Sequence, residues 1–184
     1  SLATRFLADM GAEVIQIEHP SRLDLMRRSP VRRKANATTW GEVKVGSDPN
    51  ASGMFNNYCR NKLGVTIEMG NPAGRAMAER LISICNVVTE NFAPGVMEKW
   101  GLDFARINEL SPHAIYARMS GFGHSGPYTS YRSYGPVVQA MSGMSHICGL
   151  PGREPSGWGL SYMDNQAAYY NTNALLTAIY HRRL

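Results

Sequence analysis

Four short runs rich in β-branched residues, EVIQIE (residues 13–18), VTIEM (65–69), NVVTE (86–90) and HAIYARM (113–119), alternate along the chain with stretches of helical period. No other feature restricts the fold as much. Strands that alternate with helices pair in parallel and carry helices on both faces, because each crossover must return over the sheet. Leu2, Phe6 and Met10 share one face of an opening helix that runs to about Met10, with Gly11 as its C-terminal glycine. Met77, Leu81 and Ile84 do the same in a helix expected over 73–85. A turn of helix is expected after Pro94, and another helix around DFARINEL (103–110). The fold class is therefore α/β, and ligands should gather at loops leaving the carboxyl ends of the strands. ENFAPG (90–95) and SGFGHSGPY (120–128) are two such loops. Between the first two strands lies a polar stretch of roughly forty residues, expected to be a structureless loop with a functional or covering role.

The chain has 184 residues, 43% apolar and 18% charged, which suits one globular domain of ordinary size. Cys59, Cys85 and Cys148 are odd in number and far apart, so neither a disulfide framework nor a zinc site is expected. No apolar run is long enough to span a bilayer and no secretory leader is visible, so a cytoplasmic setting is expected and no membrane partner. Much of the net charge of +5 sits in SRLDLMRRSPVRRK (21–34). Pro30 interrupts that run, no aromatics interleave it and no nucleic-acid motif contains it, so nucleic acid is not the expected partner. A solvated basic loop and a site for a small phosphorylated ligand both remain open.

The second loop contains G-x-G-x-x-G at Gly121, Gly123 and Gly126, directly after a strand. A dinucleotide fingerprint also needs a helix beginning inside the glycines and an acid about twenty residues on to hold the ribose. Pro127 follows the third glycine, YTSYRSYG (128–135) reads as continued loop, and no Asp or Glu occurs between Glu109 and Glu154. Nicotinamide binding is therefore rejected.

LADMGAEVIQIEHP (7–20), ENFAPGVMEKWGL (90–102), SGFGHSGPY and QAMSG (139–143) together resemble the family III CoA-transferases, the group that includes formyl-CoA transferase and carnitine CoA-transferase, nearly end to end. The resemblance implies a Rossmann-like parallel sheet with flanking helices. Members are roughly twice this length, so residues 1–184 correspond to the N-terminal part, or first lobe, of the family's large domain. The family's first strand and glycine turn, its small domain and its C-terminal return segment then lie outside this sequence. It also implies a homodimer whose chains interlock, and coenzyme A or acyl-CoA as substrate with no metal.

Moving CoA between carboxylic acids needs a nucleophile that holds an acyl group as an anhydride and then CoA as a thioester, and a carboxylate does both. In the family it is an Asp opening a helix, and SGWGLSYMDNQAAYY (156–170) places Asp164 there. From position alone a plain helix N-cap is the better explanation of Asp164, and the family match reverses that preference; the two roles are compatible because a helix N-terminus favours an ionised carboxylate. Gly123 and Gly126 would let loop backbone approach the thioester and offer N–H donors to an oxyanion. By resemblance Asn91 and Phe92 border the adenosine, Ile67 touches the base, and Arg27, Lys99 and Arg132 reach the CoA phosphates. Each has an ordinary alternative: Arg27 in the solvated run, Lys99 as a helix-end cation, Phe92 as core. Trp100 stands where members carry small or sulfur-containing side chains, and Gly70 where some have Lys. The racemase branch uses Gly-His-Asp after the glycine loop; here the triplet is Ser133-Tyr134-Gly135, and Tyr134 suits a transferase. His124 is a candidate base by chemistry and a surface residue by default. PSGWGLSYMD (155–164) resembles members acting on aromatic or branched dicarboxylates. An acyl-CoA racemase and a non-catalytic CoA-binding subunit remain the alternatives.

Overall fold

The computed structural model describes residues 1–28 and 48–184. The second half of the basic run, residues 29–34, lies outside them. The chain divides into two units, Ser1–Arg75 and Ala76–Leu184.

In the first unit α1 (Leu2–Asp9) leads through Gly11 into β1 (Ile15–Glu18). A 3-10 turn (Leu25–Arg28) and α2 (Gly53–Tyr58) follow, then β2 (Leu63–Thr66), which pairs in parallel with β1, Ile15 opposite Leu63 and Glu18 opposite Thr66. Ala3, Leu7 and Ala8 of α1 and Ile67 just past β2 are buried. Two expectations need correction. The described part of the stretch between the strands is not structureless. Ser52 caps α2 by accepting from the Phe55 N–H, and its hydroxyl donates to the Met26 carbonyl at 2.6 Å, which ties α2 to the 3-10 turn. The second strand also begins two residues before VTIEM, at Leu63, because Val14 already accepts the Leu63 N–H, despite the unfavourable Gly64.

The helix α3 (Pro72–Ile84) begins with proline at its first position, where no N–H is needed. It leads to β3 (Val87–Glu90), α4 (Val96–Lys99), α5 (Phe104–Leu110) and β4 (Ile115–Arg118). β3 and β4 pair in parallel, Val87 opposite Ile115 and Glu90 opposite Arg118. Asp103 caps α5 through the Arg106 N–H, a contact worth about 1 kcal/mol. After the glycine loop come α6 (Gly135–Met141), α7 (Met144–Ile147) and the long α8 (Tyr162–Arg183). The core of this unit gathers Ile82, Met97, Leu102, Ile107 and Leu175, each burial contributing roughly 1.5–3 kcal/mol. The fold is α/β with parallel strands and flanking helices; among the described residues the strands form two two-stranded ladders.

Candidate active site

The second unit places the two loops named above at the carboxyl ends of β3 and β4. The helix α8 packs against β4 and α6 and runs back along the ladder. At its far end Arg182 donates from one Nη to the carbonyls of Asn86 and His113, both at 2.8 Å, which are the residues leading into the two strands. With its C-terminal end held where the strands begin, α8 presents its N-terminal turn toward the side where they finish.

Asp164 lies in that first turn and is exposed. It is not the N-cap; Ser161 is, and Asp164 sits three positions into the helix. A carboxylate in the first turn still gains about 0.3–1 kcal/mol from the helix dipole. Its carboxyl group rests on the backbone of Gly135. A β-carbon at Gly135 would overlap Asp164 Oδ2 and stand 3.0 Å from both Asp164 Cγ and Ser161 Cβ. Gly135 is buried and opens α6, with Tyr134 as N-cap and Pro136 next. Two residues back, Ser133 presses on Gly121 of the glycine loop, where a β-carbon would stand 2.5 Å from Ser133 Cβ. The glycine loop and Asp164 thus touch the same short segment, Ser133 to Gly135, from two sides. Ser133 and Gly135 were not singled out from sequence as contacts; Gly-Pro at a helix start was the visible signal for the second.

Gly123 and Gly126 have φ of 77° and 98°, the left-handed region that favours glycine. No atom crowds a β-carbon at Gly126, so its glycine serves backbone conformation and leaves that face open. Ser120 Oγ donates to the Gly123 carbonyl at 2.7 Å, while the Gly123 N–H donates to the Ser120 carbonyl at 3.1 Å. Beyond, Tyr128 and Tyr131 stack at 5.5 Å and Phe122 leans on both at 6.2 Å.

Phe92 and Trp100 form an edge-to-face pair, centroids 5.2 Å apart at 89°, between the end of β3 and the end of α4. Phe92 is 44% exposed, so it is not core. Asn91 and Lys99 are exposed beside them, as are Arg132 and Tyr134 on the segment before α6.

Arg27 and Ile67 belong to the first unit. Arg27 donates from Nε and Nη2 to Glu18, from Nη1 to Asn50 Oδ1, and lies 3.5 Å over the Phe55 ring. The paired guanidinium holds the Glu18 carboxyl below the usual range, against the opposing effect of burial. Ile67 is buried, with Gly74 allowing the start of α3 to pass close to it. Gly70 is exposed next to Glu68, whose Oε1 accepts its N–H.

Among the described residues no group of three or more His, Cys, Asp or Glu side chains is arranged to hold a metal, and no helix is long and apolar enough to cross a membrane. The α/β unit sets a carboxylate in the first turn of a helix near a glycine loop, and a carboxylate is chemically competent as a nucleophile toward an acyl group. The family model of CoA-transferase family III matches residues 1–184, and the chain belongs to that family. It is 36% identical over 179 residues to succinyl-CoA–D-citramalate CoA-transferase of Chloroflexus aurantiacus, covering 97% of this chain and 41% of the relative. It is 32% identical over 177 residues to human succinyl-CoA:glutarate CoA-transferase, covering 96% of this chain and 37% of the relative. A solved CaiB/BaiF family protein from Brucella suis superposes with a TM-score of 0.82 at 30% identity, over 99% of this chain and 45% of that one. The chain spans less than half the length of these relatives.

Proposed function

We propose that this chain carries the nucleophile of a CoA-transferase that moves CoA from an acyl-CoA donor to a carboxylic acid, with Asp164 forming the covalent intermediates. The observation that carries this reading is the seating of the Asp164 carboxylate against Gly135, on the segment that also receives the glycine loop. An Asp164 oxygen attacks the donor thioester carbon, and the tetrahedral adduct expels CoA thiolate to leave an acyl-aspartyl anhydride. The thiolate attacks the Asp164 carbonyl carbon, the donor acid leaves as carboxylate, and an aspartyl-CoA thioester remains. The acceptor carboxylate attacks that thioester and releases the thiolate again. The thiolate then attacks the acceptor carbonyl of the second anhydride, giving the new acyl-CoA and restoring Asp164.

Each attack places negative charge on a carbonyl oxygen, and N–H groups of the loop from Gly121 to Gly126, apart from the Gly123 N–H that already meets the Ser120 carbonyl, are the donors assigned to it. Asn91, Phe92 and Trp100 are assigned to the adenosine, with Lys99 and Arg132 for the phosphates, where a charge-assisted contact is stronger than a neutral one. Tyr134, exposed one residue before Gly135, is assigned to CoA binding as well. Arg27 and Ile67, in the first unit, are assigned to CoA by the family resemblance alone; Arg27 shares its cation with Glu18 and Ile67 is buried. Relatives named for succinyl-CoA make it the first donor to test and dicarboxylates the first acceptors. The 184 residues represent the N-terminal part of the large domain of a longer cytoplasmic chain that works as an interlocked homodimer.

The test is chemical trapping. Full-length protein is mixed with succinyl-CoA and then hydroxylamine, and the peptide containing Asp164 is analysed by mass spectrometry. A hydroxamate on Asp164, absent from Asp164→Ala, is the expected result. CoA binding without an adduct from any donor would overturn the covalent reading and favour a binding subunit.

A further inference from the structure

The glycine loop has one more side chain that points inward. Although His124 lies between Gly123 and Gly126, both of its ring nitrogens are buried and neither has a hydrogen-bond partner among the described residues. Leaving such groups unpaired costs roughly 1–3 kcal/mol each, so an arrangement that satisfies one of them is favoured.

A carboxylate lies within ion-pair distance, that of Glu90 at the end of β3, with Nε2 3.8 Å from Oε1. That is longer than a hydrogen bond. The Glu90 side chain is only 4% exposed. Its Oε2 accepts the Phe92 N–H, while its Oε1 receives Arg118 Nε from β4 at a loose 3.4 Å. Arg118 is drawn instead to Glu98 of α4, at 2.6 Å. Tyr116, also on β4, completes the surroundings; burial first, and then the Glu90 charge, push its phenol up to about 12, so it is neutral. Two carboxylates therefore share one guanidinium, and the one at the sheet end is left with a weak cation. An imidazolium at His124 supplies the missing charge and, with a movement of under about 1 Å, a donated hydrogen bond.

We propose that His124 is a positioning residue of the glycine loop: its imidazolium, donating Nε2–H to Glu90, seats the loop that serves Asp164, and the neutral ring releases it. This rests on the reading of Asp164 as the nucleophile, although the seating itself is a property of the loop. The role differs from that of a base acting on substrate, because the imidazole faces Glu90 and the sheet end.

Two measurements on full-length protein test it. The first is the titration of labelled histidine by NMR over roughly pH 5–8, the range in which an imidazole ordinarily changes charge. Backbone amides of Gly121, Gly123 and Gly126 are expected to shift with the His124 midpoint in wild type, and not in Glu90→Gln. Glycine amides that ignore that midpoint would overturn the proposal whatever the catalytic result. The second is the pH profile of turnover: kcat is expected to fall roughly tenfold as the ring loses its proton, with KM for the donor nearly constant. His124→Leu should be low at every pH, and His124→Gln, which keeps a donor, should restore turnover relative to His124→Leu and remove the slope. A wild-type profile in His124→Leu would also refute the role. If the glycine amides follow His124 but no hydroxamate forms on Asp164, the covalent reading fails while the seating stands.

Discussion

Substituting Gly135 by alanine isolates the placement of Asp164 from everything else in the fold. The new β-carbon overlaps Asp164 Oδ2 and stands 3.0 Å from Asp164 Cγ and Ser161 Cβ, where ordinary contact is about 3.5–4.0 Å. The backbone of α6 resists displacement more than a carboxylate does, so Asp164 must rotate away by about 1 Å. A misplacement of that size costs roughly 100-fold in rate, or about 2.7 kcal/mol in the barrier. The cost to folding is small. Gly135 does not have positive φ, and removing a glycine's freedom in the unfolded chain offsets part of the crowding by about 0.4–1 kcal/mol. Urea unfolding should therefore stay within about 1 kcal/mol of wild type, while single-turnover formation of the Asp164 hydroxamate slows about 100-fold. CoA affinity, measured in parallel, should hold, because the adenosine-side residues are untouched. Full adduct formation in Gly135→Ala would refute the argument that this contact sets the carboxylate. Loss of rate in proportion to loss of folded protein would refute it too.

Gly126→Val meets no atom but must adopt φ of 98°, at a cost of about 1–3 kcal/mol in loop conformation; turnover should fall while the CoA dissociation constant stays within about twofold. Phe92→Ala removes the partner of Trp100, an edge-to-face contact worth about 0.5–1.5 kcal/mol, and calorimetric titration should show CoA binding weakened roughly two- to tenfold. Arg106 holds the Glu79 carboxyl below the usual range through two hydrogen bonds at 3.0 Å. A depressed carboxylate adds stability above its unfolded pKa of about 4.3 and loses it as pH falls through the folded value, so the thermal midpoint should drop on acidification below about pH 4.5 and drop less in Glu79→Gln.

Elements whose signals are local were legible in the sequence. NVVTE and HAIYARM enclose β3 and β4, and the helix expected over 73–85 is observed one residue earlier, where Pro72 fills the first position. What escaped depends on partners distant in sequence. Leu63 joins a strand because Val14 waits for its N–H, and Ser52 starts a helix that is also fixed by Met26. The position of Asp164 within α8 was misread because an Asp beside a loop looks like a cap, whereas Ser161 takes that place. The loop glycines were recognised by pattern, but the pressure of Ser133 on Gly121 and of Asp164 on Gly135 is written in side chains 12 and 29 residues away. The approach of His124 to Glu90 likewise spans 34 residues and carries no local signal.

The bonds from Arg182 to Asn86 and His113 make α8 a lever. From Arg182 to Asp164 the helix axis spans about 27 Å at 1.5 Å per residue, so a tilt of about 2° around that anchor carries the carboxylate about 1 Å. Aim at one end is thus governed by two carbonyls at the other, far from any reacting atom. Sequence changes around residues 86 and 113 bear on alignment at the carboxylate without touching substrate, and an anchor loosened there spoils the geometry while leaving every residue of the site in place.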